Sequence, residues 1–266
     1  MANIEQFQST ERFSDRVADY IKYRPGYPAE SLTILQERTG LAPHHTIVDV
    51  GSGTGILSKL FLDFGNAVLA IEPNREMAEA AQFFLVDFDG FQQADAMAEA
   101  TGLANNSADF IVAGQAFHWF DVQRTCREFR RILKPGGWCV LIWNERRTDS
   151  TAFLRGYESF LLEWSIDYAD VSSHYQDPVA LEQLYGEDAW ERESLDNHQS
   201  FDFDGLRGRV MSCSYIPAPE HPRHVPMLAA LQELFDLHQR QGLVRMDYDT
   251  QVYFGQLPII SKAGNQ

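Results

Sequence analysis

The sequence predicts an α/β fold in which a mostly parallel sheet carries helices on both faces. A β-branched run at 46–50 is followed by closely spaced glycines and then by an apolar helical pattern at Ile56–Phe64. Further strand-like runs lie near 67–71, 109–113 and 138–143, and helix-like stretches separate them. Because alternation of strand and helix is typical of α/β domains, we expect a doubly wound sheet over this region.

The first strand leads into a loop suited to ligand binding. Ile47, Val48 and Val50 form a continuous β-branched run, as in a strand buried on both faces. The glycines after it allow a sharp turn and leave backbone N–H groups accessible at the start of the next helix. These glycines are Gly51, Gly53 and Gly55.

The side chains around this loop favour a ligand with a ribose and a cationic amino-acid end. Ile56 stands where a dinucleotide-binding loop needs its third glycine. Asp49 would repel a diphosphate, but it could hold an ammonium group. Glu72 ends the second strand, where a carboxylate can accept hydrogen bonds from both ribose hydroxyls. S-adenosylmethionine has both features and carries no phosphate.

Five ordered segments between 46 and 145 resemble motifs of the class I S-adenosylmethionine-dependent methyltransferases of type 11. They match the cofactor loop, the end of the second strand, the adenine-contacting loop, the end of the fourth strand and the turn before the fifth. In chain order, the segments are Val48–Gly55, Glu72–Asn74 with Met77 and Ala78, Gln93–Ala96, Ala113–Phe120 and Arg131–Gly137.

This resemblance implies a Rossmann-like sheet of seven strands with the last strand inserted antiparallel, and S-adenosylmethionine as cofactor without a metal. By the same resemblance, Glu72 would bind the ribose, and Asp95 with Ala96 would contact the adenine. The other cofactor-binding residues that it implies are Asp49, Gly51, Ser52, Gly53, Gly55, Pro73, Met77 and Gln115.

An aromatic segment rich in arginine and proline precedes the first strand. It resembles a segment that folds over the cofactor in methyltransferases related to trans-aconitate methyltransferase. By this resemblance, Tyr20 and Arg24 would contact the methionine carboxylate or close the substrate pocket, which Tyr27 would line. The alternative is that the tyrosines pack a helix onto the core and that Arg24 is a surface ion-pair partner.

Three residues beyond the fourth and fifth strands are candidates for the substrate side. His118 could remove a proton from the acceptor, because its pKa lies near neutrality; alternatively, it hydrogen-bonds within an aromatic wall that includes Trp119. Arg146 follows the fifth strand and could recognise an anionic acceptor; alternatively, it lies in a solvated loop.

The chain is predicted to divide into four segments. Residues 1–40 form a helical lid, 41–150 the cofactor-binding core, 151–190 a helical cap, and 191–266 complete the sheet and add a further helical insertion. The cap would cover the carboxyl ends of the strands, where ligands of open α/β sheets bind. The two remaining strands are expected at 190–201 and 243–254.

Composition limits the function. The net charge of −16 argues against a nucleic-acid-binding surface, but not against a small anionic acceptor in a local basic pocket. The three cysteines lack metal-binding or disulfide spacing, which favours a reducing cytoplasm. The sequence shows neither a signal peptide nor a membrane-spanning run. We therefore expect a cytoplasmic monomer or homodimer that acts on a small molecule.

Two rival functions stay open at this point. A nicotinamide-dependent dehydrogenase is disfavoured by Ile56 and by the lack of a second catalytic set. A protein that binds S-adenosylmethionine without catalysis fits the same motifs, because methyl transfer demands no invariant catalytic residue. The acceptor atom is open as well, since carboxylates, amines, phenols and carbon nucleophiles all fit.

Overall fold

The computed structural model describes residues 22–168 and 178–258. Its centre is a seven-stranded sheet with the strand order β3-β2-β1-β4-β5-β7-β6, which confirms the predicted α/β fold. The strands are β1 Thr46–Val50, β2 Ala67–Ile71, β3 Phe91–Ala94, β4 Ala108–Gly114, β5 Leu133–Arg146, β6 Trp190–Phe201 and β7 Val244–Gly255.

Eight α-helices of the described residues accompany the sheet. They are α1 Glu30–Thr39, α2 Ile56–Phe64, α3 Arg75–Phe84, α4 Val122–Ile132, α5 Ala152–Trp164, α6 Pro178–Tyr185, α7 Phe203–Met211 and α8 His224–His238. In the described part of the chain, no helix is long and apolar enough to cross a membrane.

Polar side chains fix where several helices begin. Asn74, Asp121, Thr151 and Asp202 each accept a hydrogen bond from the backbone N–H three residues ahead. Such N-caps satisfy one of the backbone donors that a helix leaves unpaired at its start. The cap at Asn74 starts α3 directly after β2, and this keeps the connection short next to Glu72.

The parallel strands bring their carboxyl ends to one edge of the sheet. β1 pairs in parallel with β2 and β4, β2 pairs with β3, and β4 pairs with β5. Val48, at the middle of β1, is in register with Leu69 on one side and Ile111 on the other. The loops that follow β1, β2, β3 and β4 therefore lie side by side, where open α/β sheets bind ligands.

Two elements were not predicted from the sequence. β3 is a four-residue strand of mostly polar, partly exposed residues, so it lacks the apolar alternation that marks a strand. α7 is short and holds two glycines, which are poor helix formers. The predicted strand at 243–254 is confirmed as β7, and it lies between β5 and β6.

The described residues fall into two compact units, each with its own core. The first unit contains 22–28, 144–168 and 195–250, and its core joins side chains of α5, α7 and α8. The second unit contains 29–143, 178–194 and 251–258, and its core is built on the inner strands of the sheet. Representative buried residues of the second core are Ile47, Val50, Phe61, Phe110, Ile111, Phe129 and Leu141.

Candidate functional site

The glycine loop after β1 is held against the end of β2. The N–H groups of Gly51 and Ser52 both donate to the carbonyl oxygen of Ile71, at 2.8 and 3.2 Å. Gly51, Gly53 and Gly55 have φ values of +66°, +56° and +83°, which L-residues rarely adopt. The predicted sharp turn is therefore present, and it opens directly into α2.

The three glycines have different surroundings. A Cβ at Gly51 would lie 2.7 Å from the Cβ of Ala116, and one at Gly55 would lie 2.7 Å from Cδ1 of Leu85. A Cβ at Gly53 would meet only the Met77 sulfur, at 3.6 Å. Gly51 and Gly55 thus allow close packing within the protein, whereas Gly53 borders open space that a ligand can fill.

Glu72 joins the glycine loop to the start of α3. One carboxylate oxygen accepts a hydrogen bond from the N–H of Gly53 and the other accepts one from the N–H of Asn74, each at 2.8 Å. Burial raises the pKa of Glu72, and these two backbone hydrogen bonds act against that rise. Each oxygen keeps a further lone pair, so the carboxylate is oriented and can still accept from a diol.

Asp49 lies beneath the loop rather than on its surface. Its side chain is fully buried, and Oδ2 accepts a hydrogen bond of 2.6 Å from the Ser58 hydroxyl. Its Oδ1 has no hydrogen-bond partner among the described residues. Burial raises the pKa of Asp49 to about 7, although the Ser58 hydrogen bond lowers it. The predicted contact of Asp49 with an ammonium group stays a prediction.

The loops after β3 and β4 lie beside the loops that follow β1 and β2. The Glu72 N–H donates to the carbonyl of Ala94, which places Asp95 and Ala96 directly beside the end of β2. Gln115 has a φ of +56°, and its N–H donates to the Ile142 carbonyl at 3.0 Å. The second unit therefore gathers the predicted cofactor residues of the first four strands, including Pro73 and Met77.

His118 and Trp119 lie in a short 3-10 helix at Phe117–Trp119, just beyond β4. Their ring centroids are 4.9 Å apart, and both rings are half-buried. Phe117 packs edge-on against Phe120 at 5.9 Å. An aromatic cluster at this position agrees with both interpretations of His118, as a base and as part of a wall.

Other predicted site residues belong to the first unit. Arg24 donates to the Ser212 carbonyl at 3.0 Å, and Tyr27 is half-buried. Arg146 ends β5 and is 90% buried, so it does not lie in a solvated loop. Tyr20 lies outside the described residues.

Arg146 forms an ordered polar cluster in the first unit. It pairs with Glu158 and donates to the Tyr168 hydroxyl at 2.9 Å. Its guanidinium carbon lies 4.9 Å from the centroid of the Tyr157 ring. Nη1 is buried without a hydrogen-bond partner among the described residues, so one donor group of this arginine is unused.

A second buried arginine was missed in the sequence. Arg209 lies on α7 and is 6% exposed. The apolar residues Leu206, Val210 and Cys213 repeat at helical spacing, and Arg209 falls on the face that they define. This helical spacing is the sequence signal that distinguishes the buried Arg209 from the exposed Arg207, two residues earlier.

The described residues hold no group of three or more His, Cys, Asp or Glu side chains that could bind a metal ion. The candidate site consists of backbone donors, oriented carboxylates and an aromatic cluster. A comparison with known proteins shows which sequence family this region resembles. The sequence model of the family described as "Methyltransferase domain" matches 48–141, from β1 through the middle of β5.

Residues 48–141 match the sequence model of a methyltransferase domain. The match confirms the resemblance predicted from the motifs, and it spans the glycine loop, Glu72, Asp95 and His118. Members of this family use S-adenosylmethionine. The residues present fit that cofactor, since Gly53 borders open space, Glu72 offers oriented acceptors and Asp49 has an unpaired buried oxygen.

Relatives by sequence are methyltransferases without an assigned acceptor. An uncharacterized methyltransferase of Mycobacterium tuberculosis is 34% identical over 134 residues, which cover 50% of this chain and 52% of that protein. One from Schizosaccharomyces pombe is 30% identical over 135 residues and is 53% covered. The match thus spans about half the length of these relatives.

Solved structures share the fold over most of the chain. A putative type II methyltransferase from Anaeromyxobacter dehalogenans has a TM-score of 0.66 and 23% identity, with 89% of this chain and 100% of that chain covered. A Haemonchus contortus phosphoethanolamine N-methyltransferase, solved with S-adenosylhomocysteine, has a TM-score of 0.53 and 13% identity, with 96% and 59% covered. These neighbours confirm the Rossmann-like fold.

Proposed function

We propose that this protein transfers the methyl group of S-adenosylmethionine to a small organic acceptor, with carboxylates among the candidates. The observation that carries the proposal is Glu72. Its two oxygens are held by the N–H groups of Gly53 and Asn74, so the carboxylate faces the ligand edge of the methyltransferase domain in a fixed orientation. A ribose bound there would place the rest of the cofactor along the glycine loop.

Bound S-adenosylmethionine supplies an electrophilic methyl group on a sulfonium. The protein's contribution is to hold the acceptor in line with that methyl group and to exclude water. Glu72 and the N–H groups near Gly53 would position the cofactor, and Asp95 with Ala96 would contact its adenine. The aromatic residues at Phe117–Phe120 would shield the reacting atoms from solvent.

The role of His118 depends on the acceptor. A carboxylate is already ionised at neutral pH and needs no base, so His118 would then only line the site. A hydroxyl or ammonium acceptor must lose a proton, and His118 would be the base. The preference for a carboxylate acceptor rests on the resemblance to methyltransferases related to trans-aconitate methyltransferase.

We also propose that the protein works in the cytoplasm as a monomer or homodimer, without nucleic-acid partners. The three cysteines, Cys126, Cys139 and Cys213, are buried and form no disulfide. Acidic residues outnumber basic ones by 38 to 22, which disfavours binding to a polyanion.

Ligand-induced stabilisation tests the cofactor assignment. S-adenosylmethionine and S-adenosylhomocysteine should raise the Tm, because they bind the folded protein only, whereas NAD should not. Glu72→Ala should weaken S-adenosylhomocysteine binding roughly tenfold or more in isothermal titration, because charge-assisted hydrogen bonds are lost. A Tm shift with NAD alone would reject the proposal.

Matched variants separate binding from folding, and turnover separates catalysis from mere binding. Glu79→Ala removes an exposed carboxylate of α3 and should leave the affinity unchanged. Gly53→Val fills the open space at the loop and should abolish binding. Formation of S-adenosylhomocysteine with a panel of carboxylates, amines and phenols would exclude a protein that only binds the cofactor.

A further inference from the structure

Arg209 carries a positive charge in the core of the first unit, and no carboxylate of the described residues bonds to it. Among the described residues, the hydrogen-bond partners of Arg209 are the Cys213 sulfur, 3.0 Å from Nη1, and the Tyr248 hydroxyl, 3.5 Å from Nε. Neither partner is an Asp or Glu side chain. Burying an uncompensated charge costs several kcal/mol, so a retained arginine of this kind indicates a missing anion.

Arg146 contacts the same cluster of buried side chains as Arg209. Tyr157, Tyr248 and Cys213 all belong to that cluster. The guanidinium group of Arg146 lies over the Tyr157 ring, whereas Arg209 bonds to Tyr248 and Cys213. Both arginines also oppose the rise that burial causes in the pKa of the Tyr157 hydroxyl. Glu158 offsets the charge of Arg146, but the buried Nη1 still has a hydrogen to donate.

The charges of this cluster favour an anion as ligand. Glu158 offsets the charge of Arg146, whereas no described carboxylate bonds to Arg209. Arg24 adds a further positive charge that acts on Cys213. This local excess of positive charge contrasts with the net charge of −16 of the whole chain.

The thiolate form of Cys213 could balance the positive charge of Arg209 in place of a bound ligand. Burial opposes ionisation of the thiol, but the guanidinium groups of Arg209 and Arg24 outweigh it and lower the pKa of Cys213 to about 7. Three tyrosines also act on Arg209, and they are Tyr157, Tyr215 and Tyr248. Burial raises the pKa of Tyr157 and Tyr215, so these two stay neutral at pH 6. At pH 6 the thiol is mainly neutral as well, and the positive excess persists.

We propose that Arg209 and the unused Nη1 of Arg146 form a binding centre in the first unit for the carboxylate of a small organic acid. Identification of this acid with the methyl acceptor rests on the proposed function.

Thermal unfolding at pH 6 and constant ionic strength tests the proposal. Acetate, benzoate and succinate are compared with acetamide, benzamide and succinamide, which have similar shapes but no charge. At least one carboxylate should raise the Tm of the wild type while its amide does not. Arg209→Met should lose this response, with the carboxylate Kd raised roughly tenfold or more.

Three arginine variants distinguish a loss of carboxylate binding from a loss of stability. Arg209→Met should keep or raise the Tm without added acid, because an apolar side chain of similar size replaces an uncompensated charge. The Tyr248 hydroxyl keeps its hydrogen bond to Gln199 in that variant. Arg207→Met removes an exposed arginine of the same helix and should respond to carboxylates like the wild type. Arg209→Lys keeps the charge and should retain part of the response.

The outcomes separate the binding centre from the proposed function. If S-adenosylhomocysteine stabilises the protein but no carboxylate does, the inference is wrong and the methyltransferase proposal stands. If Arg209→Met and the wild type respond equally, the centre lies elsewhere and the inference is wrong. If inorganic phosphate stabilises through Arg209 more strongly than the carboxylates, the assignment to a carboxylate is overturned. Carboxylate binding without S-adenosylhomocysteine binding would support the centre and reject the proposed function.

Discussion

The buried carboxyl group of Asp49, beneath the glycine loop, makes the stability of the folded protein depend on pH. Its pKa is raised to about 7 in the folded protein and is about 4 in an unfolded chain. Between these values the unfolded chain loses the proton and the folded one keeps it. The contribution of Asp49 to stability therefore falls as pH rises from about 4 to about 7, and it is constant above that.

Asp49→Asn should remove this slope. The amide oxygen can still accept from Ser58, and the amide nitrogen carries no charge to bury. Between pH 5 and pH 8 we expect the wild type to lose on the order of 3 kcal/mol of unfolding free energy relative to the variant. Urea unfolding at pH 5 and pH 8 measures it. Asp63→Asn removes an exposed carboxylate and should follow the wild type; parallel curves for Asp49→Asn would contradict the buried-acid assignment.

Single residues also show how far sequence reasoning reaches. The position of Glu72 follows from its place after a strand, because the end of a parallel strand points to the ligand edge. Its hydrogen bonds to Gly53 and Asn74 could not be foreseen, since they depend on how the loop folds back. Arg209 was missed because an arginine in a polar stretch is usually exposed, and only its helical period showed the buried face.

At the scale of the secondary-structure elements, the side chain of Asn144 in β5 forms hydrogen bonds to β6, to β7 and to the segment before α1. Its Nδ2 donates to the Gly26 carbonyl at 3.2 Å, and its Oδ1 accepts from Asn197 of β6 and Thr250 of β7. Asn144 is 8% exposed and Thr250 is fully buried. This side chain therefore satisfies polar groups that water does not reach easily.

Asn144→Ala should lower the free energy of unfolding by about 1–3 kcal/mol, because the buried Thr250 hydroxyl loses its acceptor. Chemical denaturation measures the loss, and hydrogen exchange should report faster opening of the segment at Tyr23–Gly26. Asn197→Ala removes a less buried partner from the same network and should cost less. A larger loss for Asn197→Ala would show that Asn144 is not the central side chain.

The strands of the parallel sheet were predicted more accurately than the remaining elements. Val48, Val68 and Ile111 belong to short, mostly apolar runs, as expected of strands buried on both faces. β3 and α7 depend on neighbours for stability, so their sequences carry little local signal. Arg146 and Arg209 are more than sixty residues apart in the chain, and such a distant combination has no sequence motif.

Acidic side chains outnumber basic ones in the molecule as a whole, and the net charge is −16. Mutual repulsion of these charges destabilises the compact state. Raising sodium chloride from about 0.01 M to about 0.1 M shortens the Debye length from about 30 Å to about 10 Å. The Tm should therefore rise over this interval, as calorimetry can measure.

Arg209→Met tests whether that salt effect comes from the surface as a whole. The variant should show the same rise in Tm as the wild type, because one buried arginine changes the overall charge very little. Loss of the rise in this variant would assign the salt effect to chloride at the binding centre instead. A falling Tm in the wild type would mean that screened ion pairs outweigh the general repulsion.

The strand order has a consequence for synthesis of the chain. β7 lies between β5 and β6, although it is the last of the three to leave the ribosome. Until Val244–Gly255 emerges, the backbone of β5 has an open side with unpaired N–H and C=O groups. Such an edge is a template for pairing with another nascent chain. Stalled or truncated products that end before β7 should therefore aggregate, and a chaperone that shields β5 would be needed most at this stage.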